Sequence, residues 1–358
     1  LYTVLRKLGE TRSAKSQKIL ESYFDHENED LVIAAVEGAA NVAVGSLGNK
    51  LIPLLEDKRW RVRVAALEAI KEKGGSDPGL FGMIRGRETV LAPAIAEAVM
   101  RCLDDSDEFV RHTAAVTLGE LKVFQAEQPL KNAYKKHEGM HGVIIGVLIK
   151  LAVSVPDEFI EDLFGPETDD LLSVLDSIKR ISSSRPIVYR AAESADHDVS
   201  CSALRVLAGS EKRNHSDNKL LVEAVKSGSI EKQLTVIQEF DLVSDKTVKV
   251  RKELEQLQSG ETPDKIFSTT SDADVLYAVS RLMENPETPE LARNDGIVLL
   301  CRFGHAPAFR EAEKKWPDMT SSMKATVAES LSLYGTNALR LFNLALDDDN
   351  SKVWREAL

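Results

Sequence analysis

Aromatic residues are scarce in this chain. Tryptophan, tyrosine and phenylalanine together supply 6% of its 358 residues, too few to suggest a groove lined by rings. Cysteine is scarcer: Cys102, Cys201 and Cys301 stand far apart, with no CxxC. That spacing excludes a disulfide framework and a zinc knuckle. The three read as small helix-packing residues. No run of about 18 apolar residues is present, so no membrane-spanning helix is expected. Positive charge is also in deficit. Lysine and arginine number 46 against 57 acidic residues, for a net charge of −11 and a pI of about 5.3. Nucleic-acid binders need a cationic footprint that releases counterions from phosphate. Nucleic acid is therefore disfavoured as a partner, and an anionic membrane surface with it. No GxSxG, P-loop, HExxH or GxGxxG spacing occurs. Convincing strand alternation is missing too, since "KTVKVRKEL" reads equally well as a helix.

What is present is short aliphatic residues in quantity. Hydrophobic residues make up 43% of the chain and charged residues 29%. That suffices for a sizeable core and suits closely packed helices better than sheets. The length fits two or three domains or one long repeat array. The chain begins at Leu1, and "VWREAL" stops inside a helical pattern, so a longer parent protein is expected.

Three segments repeat one design: "LLEDKRWRVRVAALEAI", "CLDDSDEFVRHTAAVTL" and "ALDDDNSKVWREAL". In each, an apolar residue precedes an acidic turn and a valine follows seven positions later: Leu55 and Val62, Leu103 and Val110, Leu346 and Val353. Four residues on stands Ala66, Ala114 or Ala357, and four further Ile70 or Leu118. Positions i, i+4 and i+8 line one helix face, and the central alanine admits a close neighbour. The acidic turn suits a helix N-terminus, where carboxylates cap free N–H groups. Weaker copies place anchors near 31, 143, 172, 199, 230, 291 and 323. The long step from 62 to 110 is read as an inserted loop, "GGSDPGLFGMIRGR". The step from 230 to 291 is read as hiding one degenerate unit near Val250 and Leu254. Asn49 and Thr89, each four residues before a proline, are expected to cap first helices, and Pro129 to open a third.

The pattern predicts an all-α fold: a right-handed α-α superhelix of about ten helical hairpins. It is read as a single array over residues 1–358, with residues 208–275 the least regular stretch and the place for any junction.

"LIPLLEDKRWRVRVAALEAI" and "AVMRCLDDSDEFVRHTAAVTLGEL" resemble bacterial HEAT repeats of the short, PBS-lyase type. That family places an Asp in the turn and an Arg just after the valine. Asp57 and Arg63 match, as do Asp105 and Arg111; Asp348 matches, but Trp354 replaces the Arg. The resemblance implies that these residues stack into a ladder between repeats. It is strong over roughly 20–75, 88–122 and 340–358, and it says more about fold than about function.

Two enzyme families use such repeats. Deoxyhypusine hydroxylase holds iron with His-Glu pairs at the starts of second helices. Here His112 is followed by Thr113, and the His26–Glu27 and His137–Glu138 pairs fall in turns. Phycobilin lyases need polar and aromatic contacts to a tetrapyrrole, for which no local signature exists. His137 and His141 have metal-binding spacing, but Gly139 and Gly142 disfavour a helix there. Asp196, His197 and Asp198 read as a capping turn. "KRWRVR" is the best basic cluster, short of what a DNA-binding groove needs. Two readings of Trp60 stay open: it covers the gap between helices or, with Arg61, it contacts a partner.

The expected function is a non-enzymatic scaffold binding protein or extended peptide partners on the concave face, with no cofactor or metal. The alternative is an enzyme or cofactor binder of the HEAT-like lyase or hydroxylase type with a concave pocket. The compartment is not legible.

Overall fold

Several hairpins start their second helix where a turn side chain takes over backbone donors. Asn28 Oδ1 accepts from Leu31 N, Asp107 Oδ1 from Val110 N, Asp196 Oδ1 from Val199 N and Thr320 Oγ1 from Met323 N. These N-caps recur three residues before the anchors inferred at 31, 110, 199 and 323, so the phase of the repeat is also the phase of its capping. The computed structural model describes residues 1–11, 13–42, 47–73, 81–83, 89–165, 168–178, 184–242, 244–259 and 271–358. They divide into two compact units, Leu1–Ile178 and Lys179–Leu358.

The first unit contains α1 (Tyr2–Gly9), α2 (Ala14–Glu21), α3 (Glu29–Asn41), α4 (Ile52–Leu55), α5 (Trp60–Glu72), α6 (Pro93–Arg101), α7 (Glu108–Glu120), α8 (Glu127–Lys136), α9 (His141–Lys150), α10 (Asp157–Leu163) and α11 (Asp169–Ser177). From α2 onward they pair as five hairpins. The second helices stack in order, α3 on α5, α5 on α7, α7 on α9 and α9 on α11, and α1 extends this row by packing on α3. The first helices form the other layer. Between the layers, Val62, Ala66 and Ile70 are wholly buried, as are Val110, Ala114 and Leu118. Each large aliphatic side chain buried this way stabilises by roughly 1.5–3 kcal/mol. Leu31 is only half-buried, and its neighbour Val32 fills the core instead. Helix α1 lies so close to α3 that a Cβ on Gly9 would stand 2.6 Å from the Gly38 carbonyl oxygen.

The second unit contains α12 (Arg185–Ala192), α13 (His197–Ala208), α14 (His215–Ser227), α15 (Ile230–Glu239), α16 (Ser244–Gln258), α17 (Asp272–Glu284), α18 (Glu290–Arg302), α19 (Ala306–Lys315), α20 (Ser321–Glu329), α21 (Leu339–Leu346) and α22 (Ser351–Ala357). Here α13, α15, α18, α20 and α22 stack in one row. The other layer holds their hairpin partners, with α14 directly on α17. Five hairpins in each unit make ten among the described residues.

Two expectations need correction, and a third falls partly outside the described residues. Of the degenerate repeat near Val250 and Leu254, the described residues hold one helix, α16; residues 260–270 lie outside them. Hairpin α14/α15 packs straight onto α17/α18, and α16 lies beside α17. The reason is in its sequence: Val250, Leu254 and Leu257 give α16 a single buried stripe, whereas a rung must bury two faces. Thr89 caps nothing. It belongs to β2 (Thr89–Leu91), which pairs antiparallel with β1 (Phe81–Met83), Phe81 opposite Leu91, and α6 begins at Pro93 after Ala92. The rest of that insertion, 74–80 and 84–88, lies outside the described residues. Asn49 sits within a 3₁₀ turn (Gly48–Leu51) ahead of Pro53. Apart from the three-residue ladder, every regular element among the described residues is helical, and the fold is all-α.

Candidate partner-binding surface

The turn aspartates act first on their own backbone. Asp57 Oδ1 accepts from Arg59 N at 2.8 Å, Asp105 Oδ1 from Asp107 N at 2.8 Å and Asp348 Oδ1 from Asn350 N at 3.0 Å. His26 Nδ1 and Ser194 Oγ fill the same slot before Asn28 and Asp196. Each side chain closes a small ring two residues before or at the cap, fixing the angle at which the second helix departs.

Only some of these carboxylates then reach another repeat. Arg63 donates through Nη1 to the Asp57 carbonyl oxygen at 2.7 Å and through Nη2 to Asp105 Oδ1 at 2.7 Å, so one guanidinium ties its own turn to the next. Arg111 bonds the Asp105 and Ser106 carbonyls of its own turn, and the following turn has His137 and Glu138 where an aspartate would stand. Asp348 receives Lys324 Nζ at 3.0 Å. Lys324 follows Met323 as Arg63 follows Val62; a search for arginine passes over it, while a search for any cation at that phase finds it. Asp57 receives no such rung, because the matching position in α3 is Val32. It pairs instead with Arg59, whose Nη1 reaches back to the carbonyls of His26 and Glu27.

The charges follow from this. The bond from Arg59 holds the Asp57 carboxyl below its ordinary range, against the opposing effect of burial. At Asp348 burial works against ionisation, but the Asn350 N–H and the Lys324 ammonium outweigh it.

Trp60 and Arg61 open α5 on the outer face of the second-helix row. Trp60 is 41% exposed and stacks on Phe109, 67% exposed, with centroids 5.5 Å apart and planes 24° from parallel. Phe109 opens α7, so the pair bridges two repeats. Arg61 pairs with Asp30 at 3.2 Å and Glu29 at 3.5 Å. Below them lies a groove of about 400 Å³ between α3 and α5. Trp60, Val64, Glu68 and Glu72 line it from α5 at four-residue steps; Ile33 and Glu37 face them from α3 in the same rhythm, and Arg6 reaches in from α1. The sequence reading missed this second wall and Phe109.

The second unit carries polar clusters that the sequence reading also missed. Asp217 accepts from Arg185 Nη2 at 2.9 Å and Tyr189 Oη at 2.6 Å, both on the preceding first helix. Burial tends to raise its pKa; the bonds from Arg185, Tyr189 and Asn214 N bring it below the usual value. Arg213, with no exposed side-chain surface, donates to Asp272 Oδ1 at 3.1 Å and to three carbonyls, while its guanidinium lies 4.3 Å from the Phe240 ring centroid.

The histidines separate. His137 lies 3.6 Å from Asp104, and His141 Nε2 meets the Tyr134 carbonyl across an intervening 3₁₀ turn. Asp196 caps α13. Among the described residues no three His, Cys, Asp or Glu side chains are grouped to hold a metal ion, and no helix is long and apolar enough to cross a membrane.

No family model matches the sequence, and no curated protein matches it. Solved structures that the chain is matched to include an engineered protein from a structural genomics consortium, 15% identical, covering 99% of this chain and 93% of that one with a TM-score of 0.32. Another is a structure of tumor overexpressed gene (TOG) domain arrays from microtubule polymerases, described as recruiting and assembling tubulin. It is 10% identical and covers 99% and 89% of the two chains, with a TM-score of 0.31.

Proposed function

We propose that the chain is a non-enzymatic scaffold of short bacterial HEAT-type repeats that binds protein or extended peptide partners along the exposed face of its second helices. The observation that carries this reading is the groove between α3 and α5 with the exposed Trp60–Phe109 pair at its end. Exposed aromatics beside a groove are frequent anchors of protein interfaces, and a stacked array repeats such a face along its length. The Arg63–Asp105 and Lys324–Asp348 rungs serve the same role passively, by fixing the spacing of neighbouring hairpins.

Cross-linking of the full chain in its native cells, with sites mapped by mass spectrometry, tests the reading. Links to partner proteins are expected at Lys58, in the turn before α5, and at Lys71, in the last turn of α5. Absence of any protein cross-link, together with a tightly bound metal or chromophore found by elemental analysis and absorption, would overturn it in favour of a cofactor-dependent enzyme.

A further inference from the structure

We infer that the α3–α5 groove takes a cationic, extended segment of a protein partner, with an arginine or lysine side chain laid on Trp60. This inference rests on the scaffold reading and adds the chemistry of what is bound. The first support is charge. The two guanidiniums at the rim are already engaged: Arg6 by Glu37 at 3.3 Å, Arg61 by Glu29 and Asp30. Glu68 has only Lys71, three residues on in its own helix, and Glu72 makes no ion pair among the described residues. The groove and its immediate partners therefore hold five carboxylates against three cations. An incoming anion meets cations whose charge is spent, whereas an incoming cation meets available carboxylates.

The second support is the ring pair. Trp60 and Phe109 stack on each other yet stay 41% and 67% exposed, and exposed aromatic rings attract guanidinium and ammonium groups within about 6 Å of the ring centroid. The third is length. Trp60 and Glu72 are twelve residues apart on α5, about 18 Å along the helix axis. That distance spans roughly five to six residues of extended peptide. Between the two ends the floor is apolar, formed by Ile33 and Val64 with alanines beneath. The matching ligand carries basic side chains about five residues apart with an apolar residue between them.

The test is fluorescence anisotropy of the full chain against labelled seven-residue peptides. One has arginine near each end and leucine between; a second replaces the arginines with glutamate. The arginine peptide is expected to bind at least tenfold more tightly. Trp60→Ala, which leaves the net charge unchanged, and the double change Glu68→Gln with Glu72→Gln are each expected to weaken it five- to tenfold. Circular dichroism confirms folding, and Glu313→Gln in the second unit serves as a charge control that leaves binding unaltered. General attraction to an acidic protein would leave Trp60→Ala as tight as the parent chain, and that result overturns the inference. So does equal binding of the glutamate peptide, displacement by a single-stranded oligonucleotide, or no binding at all. Should native cross-links fall on other surfaces, this inference fails while the scaffold reading stands.

Discussion

The two units fasten their repeats in different ways. In the first, the described fastening runs along the second helices at the turn edge, where Arg63 and Asp105 keep 10% and 13% of their side-chain surface in contact with solvent. The second has a similar rung, Lys324–Asp348, and adds fastenings near the starts of first helices: Arg213 and Asp272 keep 0% and 8%, and Asp217 keeps none while its partner Arg185 keeps 21%. The difference has a thermodynamic consequence. A pair at the turn edge keeps part of its hydration, so losing it costs little. A sealed ion carries a desolvation cost that only its partner offsets, so removing one partner strands the other. The Arg213–Asp272 pair is thus brittle to single changes, whereas the turn-edge rungs Arg63–Asp105 and Lys324–Asp348 are tolerant.

The largest expected effect breaks that contrast at its sealed end. Asp272→Ala leaves Arg213 buried without a carboxylate and also removes the acceptor of Asn218 Nδ2. A loss of about 3–5 kcal/mol is expected. Because stacked repeats depend on nearest neighbours, hydrogen exchange should accelerate first in α14 and α17, with α3 and α5 little changed. Uniform acceleration across both units would mean that they do not unfold as separate neighbourhoods.

The next effect is pH dependence, which the second unit again owns. His305, buried at the start of α19, bonds Gln258 at the end of α16. Burial, and then the charge of Arg310, lowers its pKa from 6.5 to about 4. With the folded value depressed, the unfolded chain takes up the proton first as pH falls. Stability is whole above about pH 6.5 and declines toward pH 4, by about 3 kcal/mol in total. His305→Asn should flatten this slope in urea titrations between pH 7 and 4. A slope unchanged in the variant would assign the acid sensitivity elsewhere.

How much of this was written in the sequence depends on whether a feature repeats. Val62, Ala66 and Ile70 were legible because the same stripe returns at Val110, Ala114 and Leu118, and periodicity is what burial on one helix face leaves in a sequence. The capping turns were legible for the same reason. The partners Arg213 and Asp272 stand 59 residues apart and belong to no repeated phase, so nothing local marks them. The region of α16 was read as a rung because the step from anchor 230 to anchor 291 spans about two periods; its single apolar stripe sets α16 itself apart. At the groove, Trp60 and Arg61 stood out as an aromatic within a basic run. Ile33 and Glu37 looked like ordinary helix residues until stacking brought them opposite.

The smallest expected effect sharpens the contrast at the open end, where the same position of the repeat holds two different cations. Arg63→Met keeps most of the stem that packs against the neighbouring hairpin but removes the bonds to the Asp57 carbonyl and Asp105. A cost of about 1–2 kcal/mol is expected, because Asp105 keeps its bond from Asp107 N and its access to water. Lys324→Met removes a single bond to Asp348 and should cost about 1 kcal/mol. The ammonium has one bond to lose where the guanidinium has two, so the arginine change should be the more costly in urea unfolding. If the lysine change cost more, the own-turn bond of Arg63 would contribute little, and the carboxylate of the next repeat would be the sole source of the rung's strength.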